Sequence, residues 1–146
     1  MSIEPAQLRA MILFGGALHF CVLIAAGLVP GVLDWRTELA KLPKMLRQLF
    51  CVYGAFIALT IVSFGLLTLL YASELSLGTP LARGLCTFIA VFWGARLAVQ
   101  FLVFDASEYL TNIWMRVGYQ LLTLAFILLT VIFGFAALSP AVGTVG

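Results

Sequence analysis

Apolar residues run through this chain in four long stretches, with charged residues gathered between them. The stretches cover about residues 10–33, 49–71, 81–104 and 113–138. Each meets the roughly 20 apolar residues that a helix needs to cross the hydrocarbon of a bilayer. None alternates apolar and polar residues with period two, so strands are not indicated. In lipid every backbone polar group must be satisfied within its own segment, and helices do this. The pattern predicts an all-α integral membrane protein. It is one domain over residues 1–146, a bundle of four transmembrane helices.

The connections carry their own patterns. Between the first two spans lies DWRTELAKLPKMLRQ. Here Trp35, Leu39, Leu42, Leu46 and Leu49 recur at helical spacing among Arg36, Lys41, Lys44 and Arg47. This predicts a short amphipathic segment at the membrane interface, with Pro43 starting the next helix. ASELSLGTP, between the second and third spans, reads as a turn-rich loop. Asp105 and Glu108 have capping-box spacing, which predicts a short surface helix between the third and fourth spans.

Composition agrees with this pattern: 64% of residues are hydrophobic and 10% charged. A soluble domain carries about 25% charge. The net charge of +2 is too small to point to nucleic acid. Arg36, Lys41, Lys44, Arg47 and Arg116 fall on one side of a four-span topology, and Arg9 and Arg83 on the other. The richer side is expected to be cytoplasmic. Both termini then lie outside, and loops 34–48 and 105–112 lie inside. The expected location is a cell membrane, of the bacterial inner-membrane kind. The opening residues MSIEPAQLR lack the basic n-region of a signal peptide, so the first stretch reads as a true span.

The chemistry worth following lies in the third span, FWGARLAVQFLVFDASEY. It places Arg96 and Gln100 at membrane depth, where polar groups are costly and need partners. Gln100 is one turn from Arg96 and on the same face. Counting along the helices puts Gln120 and Tyr53 near the same level, and Trp93 stands at i−3 from Arg96, within reach of its guanidinium. A polar layer of Arg96, Gln100, Gln120, Tyr53 and Trp93 is therefore expected, facing into the bundle. These residues read first as pins that hold the helices in register, and alternatively as a ligand-binding site. Ala90, Gly94 and Ala98 form a small-residue strip on another face of this span, suited to helix packing.

The remaining residues exclude more than they suggest. His19, the single histidine, reads as structural, at the level of Thr60 and Ser63 in the second span. Cys21, Cys51 and Cys86 read as small apolar residues. All six acids fall at span borders or in loops, which leaves no carboxylate at mid-membrane. No catalytic constellation, metal-ligand cluster or cofactor motif is present, so no cofactor or metal is expected. These features predict a non-catalytic structural or accessory component. The alternative is a module that binds or transports a lipid head group, quinone or small anion at Arg96. Expected partners are membrane lipid and a homo-oligomer or larger membrane complex.

Overall fold

Four apolar stretches close their backbone hydrogen bonds as long helices, and two short helices join them. The computed structural model describes residues 3–103 and 112–140. In chain order the helices are α1 (Pro5–Val32), α2 (Trp35–Ala40), α3 (Lys44–Leu70), α4 (Ala72–Ser76), α5 (Pro80–Leu102) and α6 (Ile113–Leu138). No strand occurs among the described residues. The long helices have 28, 27, 23 and 26 residues and mean hydropathies of 2.3, 2.2, 1.7 and 2.7. At 1.5 Å per residue even the shortest spans about 34 Å, more than the ~30 Å hydrocarbon core. The chain is a multi-pass membrane protein, an all-α four-helix bundle.

Local sequence explains where the helices begin and end. The Glu4 amide donates to Oε1 of Gln7 at 3.3 Å, and Pro5 fills the first helical position. So α1 starts before its apolar stretch does. It also runs through Pro30 and ends close to the expected residue 33, where Asp34 turns left-handed at φ 45°. A proline within a membrane helix is tolerated when the rest of the structure accommodates the lost donor. Pro43 precedes α3 as its N-cap. Thr79 Oγ1 accepts from the Ala82 amide at 3.3 Å, and Asn112 Oδ1 from the Trp114 amide at 3.4 Å, at the starts of α5 and α6. The possible surface helix at Asp105 and Glu108 lies outside the described residues.

The segment between α3 and α5 differs from the loop expected. It contains α4, whose Ala72, Leu75 and Ser76 are buried. This short helix packs mainly on α1 and closes one end of the bundle. Gly78, at φ 66°, then turns the chain into α5. At the same end the Arg83 Nε donates to the Ala137 carbonyl at 2.9 Å, so a cation satisfies part of the carboxyl end of α6.

α1 packs along α3, α5 along α6, and α1 also crosses onto α6. Lipid tails are as apolar as leucine, so close packing must hold these helices together rather than exclusion from water. Gly16 allows that approach. A Cβ built there would lie 2.8 Å from Leu69 Cδ2 and 2.9 Å from Thr68 Oγ1. Its neighbour Gly15 would meet Phe133 of α6 at 2.9 Å. The pair lets α1 touch α3 and α6 together.

Burial is concentrated at the α4 end. In α1 the buried residues run from Leu8 to Val22, and in α3 from Ile61 to Thr68. In α6 they run from Thr123 to Ala137. Towards the opposite end, every residue of α3 from Lys44 to Ile57 is exposed. Over these 20 Å or so, Phe50 meets Trp35 of α2 edge-on at 5.1 Å between ring centroids, and the described residues give α3 little other cover. Among the described residues the bundle is closed at one end and more open at the other.

Gly16→Val should therefore lower the melting temperature in mild detergent, by overpacking worth about 1–3 kcal/mol. Gly27→Val, at a position with no atom within 4 Å of the added Cβ, should leave it nearly unchanged. Equal losses from the two variants would show that α1 does not approach α3 as described.

Candidate functional site

Depth brings together two side chains that lie 74 residues apart. His19 is fourteen residues past the start of α1 at Pro5, and Trp93 thirteen past the start of α5 at Pro80. Both helices start at the closed end, so both rings arrive about 20 Å along it. There the Trp93 indole Nε1–H donates to His19 Nε2 at 3.0 Å. On the other side of the ring, His19 Nδ1 lies 2.7 Å from the Gly15 carbonyl oxygen. An indole N–H can only donate and a carbonyl only accept. Nδ1 must therefore carry the proton while Nε2 lacks one. The partners specify one neutral tautomer and leave neither nitrogen spare.

Rings from every long helix surround this bond. His19 meets Phe64 of α3 edge-on at 6.0 Å between centroids, and Phe133 of α6 at 5.5 Å. Trp93 lies 5.1 Å from Phe126 of α6. Phe92 bridges Trp93 and Phe64, at 5.3 and 5.2 Å. Edge-to-face geometry sets the positive ring edge against a neighbouring π face, which adds to simple packing. His19, Trp93 and Phe133 are essentially inaccessible. Among the described residues no buried side-chain nitrogen or oxygen lacks a partner. No three-member group of histidine, cysteine, aspartate or glutamate there could hold a metal.

The expected polar layer is distributed differently. Trp93, placed by the sequence beside Arg96, gives its N–H to His19 of α1. Arg96 is exposed rather than enclosed, with its guanidinium carbon 5.8 Å from the Phe126 ring centroid. By helical angle it sits on a shoulder, about 50° from the middle of the buried stripe of α5. Gln100 is buried, and its Nε2–H donates to Thr123 Oγ1 of α6, which in turn donates to the Tyr119 carbonyl at 2.8 Å. Gln120 is exposed on α6, beside Arg116, Val117, Leu121 and Leu124 in a shallow open depression. Tyr53 is exposed on the uncovered half of α3. Of the five residues, Trp93 and Gln100 are built into helix contacts. Arg96, Gln120 and Tyr53 are exposed, Arg96 against the Phe126 ring at the level of the covered half and Tyr53 on the open half of α3.

The small strip of α5 divides as well. Ala90 packs against the core. A Cβ on Gly94 would sit 3.6 Å from Thr130 Cγ2 of α6, an ordinary contact. Ala98 is exposed. Thr60 and Ser63, expected at the level of His19, donate to carbonyls of their own helix at 2.9 and 2.8 Å. It is their neighbour Phe64 that reaches the imidazole ring. The His19–Trp93 pair had a signal in the sequence, because counting from Pro5 and from Pro80 puts both at one depth.

Comparison of the chain with protein-family models, with curated proteins and with solved structures gave no match.

Trp93→Phe keeps an aromatic side chain, though a smaller one, and leaves His19 Nε2 buried without a donor. It should destabilise the detergent-solubilised protein by about 1–2 kcal/mol. In a His19→Leu background the same change should cost measurably less. A double-mutant cycle built on melting or unfolding data reads this coupling, expected at about 0.5–2 kcal/mol. Strict additivity would mean that the two residues do not bond.

Proposed function

We propose that this protein is a non-catalytic membrane component whose closed half is a scaffold and whose open half meets other constituents of the membrane. The observation that carries the reading is the contrast along α3. Ile61, Phe64, Gly65 and Thr68 are buried, whereas each residue from Lys44 to Ile57 is exposed. The closed half supports a structural role, since every buried side-chain nitrogen and oxygen among the described residues has a hydrogen-bond partner. In the open half, about 20 Å of apolar helix is left for lipid or for another protein's helices. A homo-oligomer or a larger membrane complex would use that surface.

A second reading rests on Arg96. A guanidinium on the shoulder of α5, beside Phe126 and one turn from Gln100, has the chemistry to receive a lipid head group, a quinone carbonyl or a small anion. The basic loop side would face the cytoplasm in either case.

Purification in mild detergent, with mass determination and identification of everything retained, separates these readings. The first predicts a homo-oligomer or a stoichiometric membrane partner, unaffected by Arg96→Leu. The second predicts a small molecule that is lost from Arg96→Leu while the variant still folds. A monomer with neither protein nor small molecule attached would refute both.

A further inference from the structure

Resting on the reading of the open half as an interaction surface, we infer that the uncovered face of α3 seats an anionic phospholipid, its phosphate at Lys44 and Arg47. One face of this helix has the required shape. At 100° per residue, Lys44, Arg47, Cys51, Gly54, Ala55 and Ala58 fall within about 100° of one another. Two cations thus head a furrow floored by small side chains. All of these residues are exposed except Ala58, which is half-buried. No atom lies within 4 Å of the place where a Gly54 Cβ would stand, so the furrow is open at that point. Exposed Phe50 and Ile57 wall one side, and Val52 and Leu59 the other.

Length and charge choose the occupant. From Arg47 to Ala58 the furrow runs about 16 Å, close to half of the ~30 Å hydrocarbon thickness. That is the depth of one leaflet, so an acyl chain lying in it would bring its head group to the two cations. The first turn of α3 contains no acid, and Pro43 offers its leading N–H groups no side-chain acceptor. Lys41, nearby, is already paired with Glu38 at 2.7 Å. Positive charge at the amino end of a helix opposes the macrodipole, and a phosphate there relieves both. A second copy docked symmetrically through this furrow would set Lys44 and Arg47 against their own counterparts. Charge complementarity favours an anion over a symmetric dimer at this face.

The test is native mass spectrometry of the full chain released from nanodiscs. The discs contain phosphatidylglycerol and phosphatidylcholine with identical acyl chains. Two cations near the surface should give a preference of roughly tenfold to thirtyfold for phosphatidylglycerol. Lys44→Gln with Arg47→Gln should remove most of that preference. Ala55→Trp, which blocks the furrow and leaves the charges, should reduce retention of phosphatidylglycerol. Arg9→Gln and Arg96→Leu should do neither, and melting temperatures identify any variant that has lost its fold. Equal retention of the two lipids overturns the inference, as does a preference lost with Arg96 but kept without Lys44 and Arg47. A stoichiometric protein partner on this face without phosphatidylglycerol also overturns it, but leaves the broader reading of the open half standing.

Discussion

One hydrogen bond between an indole and an imidazole sets the arrangement of the closed half. In lipid, helices gain little by hiding apolar surface from their surroundings. Packing quality and buried polar contacts then decide which helices stay together. Trp93 Nε1–H to His19 Nε2 is such a contact, and it joins α1 to α5. Those helices belong to opposite sides of the bundle, since α1 packs along α3 and α5 along α6. The bond also requires the Gly15 carbonyl, which orients the imidazole from behind. Phe64, Phe126 and Phe133 then close around the pair, so that α3 and α6 are held by ring contacts to the same centre.

This centre bears on function through what it occupies. Both nitrogens of the single histidine are used, its ring is inaccessible, and its neighbours are aromatic. The most chemically versatile side chain of the chain is thus committed to architecture. Arg96, Gln120 and Tyr53 face outward, as does the basic start of α3. Gln100 and Thr123 form the last buried polar contact before the helices lose mutual cover. Among the described residues the bundle is sealed at the end under α4 and less covered at the other, where the exposed, basic start of α3 lies.

Much of the architecture was legible from hydrophobic pattern alone. The limits of α6 coincide with its apolar stretch, because Asn112 and the residues after Leu138 end that run abruptly. Where the pattern misled, the cause is local. Pro5 and the Glu4–Gln7 contact start α1 in a polar segment that hydropathy does not weigh. α4 was read as a loop because ASELSLGTP is too short and too polar to show periodicity, yet Ala72 and Leu75 find the core. At the candidate site, depth was legible and orientation was not. A count along a helix gives the level of a side chain, but a span apolar on all faces does not reveal which face meets which neighbour. So the sequence puts Trp93 and Arg96, three residues apart, in one layer, and the fold adds that Trp93 turns its N–H to α1 while Arg96 lies on the shoulder against Phe126.

The protonation of the His19 ring tests the central contact most directly. Nitrogen-15 magnetic resonance of the imidazole, in protein reconstituted into bilayers at neutral pH, distinguishes the two neutral tautomers from the cation. The account predicts a proton on Nδ1 and an unprotonated Nε2 that accepts from the Trp93 indole N–H. A proton on Nε2, in either the other tautomer or the imidazolium, would contradict it.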